Sequence, residues 1–151
     1  DSTFLSAFAK SQIACGTILP SKGKVFISID DDDKKFILTI VKKLIDLNFQ
    51  IVATKGTAKF LNDHKLKVET INKVKEGGFH IVKAISNNMI DLVINTTKTQ
   101  GSIRDSYSIR RTSLTFNIPY YTTIAGAKVA VDTIEHLKNN NLKVKSLQDL
   151  N

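Results

Sequence analysis

Two short turns rich in threonine carry the side chains best suited to hold a ligand. Residues 54–57, with the sequence Thr-Lys-Gly-Thr, follow an apolar run at 50–53, and residues 95–97, Asn-Thr-Thr, follow an apolar run at 91–94. Ligands of open parallel sheets settle outside the carboxyl ends of the strands. Hydroxyl groups, together with a glycine that lets the backbone approach, suit an anion such as phosphate. The two turns therefore predict one phosphate-centred site.

Each of these residue types also has a purely structural interpretation. Threonines at the start of a helix commonly cap it, which is the alternative for Thr54 and Thr57. Residues 95–97 have the composition of an ordinary turn. Lys34 and Lys73 can supply positive charge to a phosphate, or they can be solvated surface lysines. The convergence of all of them on one sheet edge favours the binding interpretation.

Strand-like and helix-like segments alternate along the chain. Short apolar runs bounded by polar turns predict five strands, at 24–29, 50–54, 68–71, 91–95 and 119–122. Helical spacing of apolar residues predicts helices at about 34–48, around 58–61, and at about 80–87, 103–116 and 125–137. This alternation indicates a three-layer α/β/α fold with a mainly parallel, Rossmann-like sheet. Right-handed crossovers then bring the carboxyl ends of the strands to one edge.

That edge is rich in hydroxyl, amide and lysine side chains and poor in catalytic groups. The four aspartates at 30–33 are interpreted as the start of the following helix, where acidic side chains favour the positive end of the helix dipole. The three histidines have no metal-ligand spacing with each other or with Cys15, so no metal site is expected. No Walker loop, dinucleotide glycine fingerprint or nucleophile elbow occurs. The sequence therefore favours binding over catalysis at this edge.

The composition excludes several function classes. The 22 lysines and arginines outnumber the 14 acidic residues and give a net charge of +8, but the lysines are scattered. Without a basic run that includes aromatic residues, a nucleic-acid partner is not expected. The apolar stretches are only a handful of residues long, so no membrane partner is expected. The lone cysteine, Cys15, fits a reducing cytoplasm.

The beginning of the chain has the composition of a domain boundary. Residues 1–13 are predicted to be the last helix of a preceding domain, with Phe4, Leu5 and Phe8 on one helical face. Residues 14–23 carry the glycine, proline and serine of a linker, so the main domain is predicted to cover residues 24–151. Because the chain begins with Asp1 rather than methionine, we expect it to be a piece of a larger protein.

Six short segments carry a resemblance to a known family. In chain order they are Phe8-Ala9-Lys10-Ser11-Gln12, the strand at 25–29, Thr54-x-Gly56-Thr57, Asn72-Lys73-Val74 with Glu76-Gly77, Ile94-Asn95-Thr96-Thr97, and Ile109-Arg110-Arg111. Together they resemble the carboxyl-terminal regulatory domain of the large subunit of carbamoyl phosphate synthetase. The resemblance covers nearly the whole chain, and it implies a methylglyoxal-synthase-like fold.

The resemblance implies an effector site at the predicted sheet edge. That family binds UMP as an inhibitor and, in several members, IMP as an activator. The matching nucleotide-binding positions are Ser28, Lys34, Thr54, Gly56, Thr57, Lys73, Val74, Asn95, Thr96 and Thr97. Tyr120 and Thr122 match positions that help to hold ornithine, an activator in such members. For Tyr120, a simple packing role is the alternative.

The resemblance also implies a role within a larger enzyme. The parent protein would be a glutamine-dependent carbamoyl phosphate synthase of pyrimidine and arginine biosynthesis, using ATP with magnesium or manganese and potassium. Its partners would include upstream synthetase domains of the same chain and a glutamine-hydrolysing small subunit, with association between copies of the chain as a further option. The segment itself is expected to have no cofactor and no catalytic residue.

A stand-alone enzyme acting on a small phosphorylated substrate is the alternative function. It would be a relative of methylglyoxal synthase or of the nucleotide cyclohydrolases. Methylglyoxal synthase needs a catalytic aspartate in the loop after the third strand, and residues 75–79 contain no aspartate. Its histidine-bearing loop after the fourth strand is also absent. These differences favour the regulatory interpretation.

Overall fold

The computed structural model describes residues 1–96, 100–144, 146 and 148, with the backbone alone for 100–104. Every predicted strand and helix is present, with ends that differ by a few residues. In chain order the elements are α1 (Phe4–Ala14), β1 (Lys24–Ser28), α2 (Lys34–Asp46), β2 (Gln50–Ala53), α3 (Lys55–Asp63), β3 (Glu69–Thr70), α4 (Ile81–Ser86), β4 (Leu92–Asn95), α5 (Gln100–Thr115), β5 (Tyr120–Tyr121) and α6 (Ile124–Asn139). Short 3₁₀ helices lie at Asp31–Asp33 and Val74–Glu76.

The five strands form one parallel sheet in the order β3-β2-β1-β4-β5. The chain moves outward from β1 through β2 to β3, and then continues on the other side of β1 with β4 and β5. This change of direction leaves a crevice at the carboxyl ends of β1 and β4, where open α/β sheets bind ligands. The predicted mainly parallel, five-stranded sheet is confirmed, and all of its pairs are parallel.

Side chains alternate between two helical layers, so the predicted three-layer fold is also confirmed. Val25 and Ile27 of β1 belong to a core formed with α2, α3 and α6. Phe26, which lies between them, belongs to a second core with α4 and α5. Both faces of the sheet are apolar because crossover helices cover a parallel sheet on both sides. In α2, the buried residues Ile37, Ile40, Val41 and Leu44 lie at helical spacing, as the predicted helix requires.

The ends of α2 and α5 differ from the prediction, and for α2 the reason is local. The α2 helix ends at Asp46 rather than at residue 48, because Asn48 adopts a left-handed backbone conformation with a φ of 67°. A residue of this kind just beyond the last turn commonly ends a helix. The α5 helix begins at Gln100, three residues before the predicted start at 103.

The amino-terminal helix α1 packs against α6. Ser6 Oγ lies 3.0 Å from His136 Nε2, and the Tyr121 hydroxyl donates a hydrogen bond of 3.1 Å to Gln12 Oε1. Ala9 is buried in this contact, whereas Phe4 remains exposed. The assignment of residues 1–13 to a preceding domain and of residues 14–23 to a linker stays a prediction.

None of the helices within the described residues combines the length and the apolar composition that crossing a membrane requires.

Candidate functional site

A polar row ends the three central strands on the side of α4 and α5. The last apolar row on that side consists of Phe26, Val52 and Val93. Because side chains alternate along a strand, the next residues on the same side are Ser28, Thr54 and Asn95. Ser28 and Asn95 are register partners of the β1–β4 pair. The strand ends that the sequence singled out are therefore side by side at one level of the sheet.

Four of the predicted site residues are buried polar residues. Thr54, Thr57, Asn95 and Thr96 are all between 2% and 5% exposed. Polar side chains rarely stay buried without a partner, so their hydrogen bonds need to be accounted for. Their burial at one edge sets this edge apart from an ordinary polar surface.

The threonine hydroxyls fix the backbone that follows β1. Thr57 Oγ1 accepts a hydrogen bond of 3.1 Å from the Ile29 amide, and Thr96 Oγ1 accepts one of 3.0 Å from the Asp30 amide. Thr54 is the N-cap residue of α3, but its side chain makes no capping bond. Its hydroxyl lies instead 3.4 Å from Ser28 Oγ and 3.3 Å from Thr57 Oγ1. The threonines thus join β1, α3 and β4 to one another, which is a different role from the capping alternative.

Two adjoining cavities open at this edge. The first, of about 250 Å³, lies over the ends of β1, β2 and β4. The second, of about 280 Å³, lies at the start of α3. They share Ser28, Ile29, Asp31, Thr54 and Lys73. The first also has Asp30, Asn95, Thr96, Asp105, Ser106 and Ile109, and the second has Lys34, Lys55, Gly56, Thr57 and Glu76.

The cavity at the start of α3 is the cationic part of the site. Lys34, Lys55 and Lys73 line it together with two carboxylates. Amide groups of the first helical turn have no partner within the helix, and the helix dipole adds positive potential there. A β-carbon placed on Gly56 would lie 3.9 Å from Lys34 Nζ, so the glycine leaves open space beside this ammonium group. The combination suits a bound anion.

The carboxylates of this cavity have different surroundings. Glu76 Oε1 lies 3.0 Å from Lys55 Nζ, and Glu76 Oε2 accepts a hydrogen bond of 2.7 Å from the Lys73 amide. These bonds, first from the Lys73 amide and then from Lys55, hold the pKa of Glu76 below its usual value. Asp31 Oδ1 lies 2.6 Å from Lys34 Nζ. Within the described part of the chain, Lys73 Nζ has no carboxylate within 4 Å.

The other cavity has carboxylates at its far end. Asp30, Asp31 and Asp105 all line it, and of these Asp105 is the one that the sequence did not place at this edge. Asp105 lies on α5, where its side chain is 14% exposed and 3.3 Å from Lys75 Nζ. The helical spacing of residues 105, 109 and 113 indicates that Asp105 faces the sheet, because all three lie on one face of a helix. Ile109 and Ser113 on that face are buried.

The remaining predicted residues that the structure describes are Val74, Tyr120 and Thr122. Asn95 Nδ2 donates a hydrogen bond of 2.8 Å to the Tyr120 hydroxyl, so a residue assigned to the ornithine site contacts one assigned to the nucleotide site. Burial raises the pKa of Tyr120, against the opposing effects of this bond and of Arg110. Val74 is half-buried and Thr122 is exposed, and neither lines the cavities. Thr97 lies outside the described residues. No group of three or more metal-ligand side chains occurs among the residues that were described.

Known proteins resemble the chain over most of its length. A family model described as the MGS-like domain matches residues 36–122. The carbamoyl phosphate synthase large chain of Mesorhizobium japonicum is 46% identical over 149 residues, covering 99% of this chain and 13% of that protein. The carbamoyl phosphate synthase large chain, C-terminal section, of Methanopyrus kandleri is 44% identical over 151 residues, covering 99% of this chain and 28% of that protein.

These matches confirm the resemblance predicted from the six sequence segments. The chain spans only 13% and 28% of the lengths of these two relatives. A solved structure, that of methylglyoxal synthase from Elizabethkingia anophelis, superposes with a TM-score of 0.55. The match covers 75% of this chain and 79% of the synthase chain. Because the two sequences are only 16% identical, it supports the fold alone.

Proposed function

The chain belongs to the family of MGS-like domains, and we propose that it is the effector-binding domain of a carbamoyl phosphate synthase large chain. Its ligand would be a nucleoside monophosphate of the UMP or IMP type, bound at the carboxyl edge of the sheet. The observation that carries this proposal is the difference in charge between the two adjoining cavities: three lysines and two carboxylates line the one at the start of α3, whereas one lysine and three carboxylates line the other.

The cationic cavity is suited to hold the phosphate group. Lys34 and Lys73 would supply positive charge, and the amide groups at the start of α3 would supply directed hydrogen bonds. Gly56 has no side chain to occupy the space beside Lys34, so a phosphate oxygen can approach the helix backbone there. Thr54 and Thr57 would position this turn through the hydrogen bonds that join it to β1.

The other cavity is suited to an uncharged, hydrogen-bonding group. The side chains of Asn95, Asp105 and Ser106 provide donors and acceptors of the kind that a ribose and a base require. A second phosphate placed near Asp30, Asp31 and Asp105 would meet like charge, which raises the free energy of binding. The arrangement therefore favours one phosphate over two or three.

The role within the parent protein is a further part of the proposal, supported by the relatives' names and by the family resemblance. Effector binding would control carbamoyl phosphate synthesis by ATP-dependent synthetase domains elsewhere in the same chain, with magnesium or manganese, potassium and a glutamine-hydrolysing small subunit. An effector achieves this only if its affinity differs between two states of the enzyme. Ornithine would bind near Tyr120 and Thr122, and the contact between Tyr120 and Asn95 would couple it to the nucleotide.

A stand-alone enzyme is the second candidate, and Asp105 is the observation that favours it. Its side chain is 14% exposed and lines a polar cavity, as a general base requires. Turnover of a small phosphorylated substrate by the purified chain would support that function. Binding of UMP or IMP without turnover would support the regulatory one.

Calorimetric titration of the folded chain with UMP, IMP and ornithine, each separately, tests the proposal. We expect saturable binding of a nucleotide and a loss of at least about tenfold in affinity for Lys73→Ala, because a charge-assisted contact is removed. Lys67→Ala is the matched control, since Lys67 is exposed and lines neither cavity. Absence of nucleotide binding up to millimolar concentration would contradict the proposed function. Equal affinity of the two variants would exclude Lys73 from the site.

A further inference from the structure

The carboxylate of Asp31 forms an ion pair with Lys34 at the place where the proposed phosphate would bind. Asp31 Oδ1 lies 2.6 Å from Lys34 Nζ, and Asp31 lines both cavities. Lys34 is the lysine beside the open space at Gly56. A phosphate in this space and the Asp31 carboxylate would therefore compete for the same ammonium group.

Asp31 is held only loosely, in contrast to Glu76. Its side chain is 89% exposed, and it belongs to the three-residue 3₁₀ helix Asp31–Asp33 that follows β1. Exposed ion pairs contribute little free energy, so the carboxylate can turn into solvent at small cost. Glu76 is tied at both oxygens, to Lys55 and to the Lys73 amide. Of these two carboxylates, Asp31 is therefore the easier one to displace.

The charge around Lys34 explains why a counter-ion stands there. Lys34, Lys55 and Lys73 line the same cavity at the positive end of α3, so like charges are close together when no ligand is bound. The Lys34 ammonium lowers the pKa of Asp31, first through its hydrogen bond and then through its charge. Asp31 also lines a third cavity, together with Asp32 and Lys35. The other charged groups in the first two cavities are Asp30, Glu76 and Asp105.

We propose that Asp31 is an exchangeable counter-ion, which pairs with Lys34 in the free protein and releases it when the phosphate of the ligand arrives. This inference rests on the proposed function. It makes Asp31 a residue that sets the affinity of the site without contacting the ligand. Every binding event then includes the breaking of one ion pair, and removal of the carboxylate makes binding tighter.

Titration of the chain with UMP at low ionic strength tests this exchange. Asp31→Asn should bind UMP about two- to fivefold more tightly than the parent, which is the range that the loss of one exposed ion pair supplies. Asp33→Asn is the matched control, because it removes the same charge from the same aspartate run and Asp33 lines neither cavity. Its affinity should change less. An Asp31→Asn variant that binds UMP no more tightly than Asp33→Asn would overturn the inference.

A measurement on the carboxylate itself gives an independent answer. Carbon-13 NMR of the aspartate side chains should find the pKa of Asp31 below its usual value in the free protein, because Lys34 donates a hydrogen bond to it. In the UMP complex this pKa should rise. A pKa that stays low while UMP is bound would overturn the exchange but leave the proposed function intact. If the parent chain binds no nucleotide, the proposed function fails and this inference fails with it.

Discussion

Replacement of Thr57 by valine is expected to destabilise the fold from within the binding site. The Thr57 side chain is 2% exposed, and its hydroxyl oxygen accepts a hydrogen bond of 3.1 Å from the Ile29 amide. Ile29 is itself only 7% exposed, so water has little access to replace the lost acceptor. Valine has nearly the same shape as threonine but places a methyl group where the hydroxyl was. The substitution therefore leaves a buried donor without a partner.

The expected magnitude follows from that unpaired amide. A buried donor that loses its acceptor costs about 1–3 kcal/mol, so the free energy of unfolding should fall by about that amount. Thr133→Val in α6 is the matched control. Thr133 is fully buried, but its hydroxyl is a donor to the Val129 carbonyl at 2.7 Å. That carbonyl also accepts the helical amide bond, so the control leaves no buried group unpaired and should lose less than about 1 kcal/mol.

Urea unfolding followed by circular dichroism measures both variants. The slope of the free energy against urea should be unchanged, because neither substitution alters the surface exposed on unfolding. Thr57→Ser keeps the hydroxyl and should recover most of the loss attributed to the hydrogen bond. The reasoning would be refuted if Thr57→Val and Thr133→Val lost equal stability, since burial alone would then explain both.

Two further substitutions test the start of α3 and the dependence of stability on pH. Gly56→Ala should raise the free energy of unfolding by about 0.5–1 kcal/mol in urea, because alanine favours the helix, yet it should weaken UMP binding by filling the space beside Lys34. Unchanged UMP affinity would contradict this. Burial raises the pKa of Tyr121 to about 12. Between pH 10 and pH 12 this tyrosine therefore ionises in the unfolded chain but not in the folded one, so the free energy of unfolding should fall as the pH rises through this range. Tyr121→Phe should reduce this loss in urea unfolding at pH 9 and pH 11, whereas Tyr107→Phe, at an exposed position, should not.

The alternation of elements could be predicted from the sequence, but the strand order could not. Apolar runs and helical spacing mark each strand and helix locally, as the buried positions of α2 illustrate. The order β3-β2-β1-β4-β5 depends on which strands pair, and the sequence of one strand such as β1, apolar on both faces, fits several neighbours equally well. The crevice between β1 and β4 therefore appears only in the folded structure.

The hydroxyl part of the site could be predicted because strand ends are marked in the sequence. Ser28, Thr54 and Asn95 each follow an apolar run, and the parallel sheet brings them to one level. The acidic part could not be predicted in the same way. Asp105 reaches the cavity from α5, and its position depends on how that helix rotates and leans over the sheet. Asp31 was interpreted as part of a helix start, and its exposed position does not reveal that it faces two cavities.

The polar row at the ends of the central strands is more easily explained by binding than by stability. Phe26, Val52 and Val93 already form an apolar row beneath α4 and α5, and apolar residues at the next level would extend the same core. Thr54 and Asn95 are buried there instead, and each needs a polar partner from a neighbouring element to offset its desolvation. What this arrangement adds is a cavity whose hydroxyl and amide groups are already oriented before a ligand arrives. Preorganisation of this kind lowers the entropy lost on binding. The polar row therefore makes the core less apolar but gives the site a defined geometry.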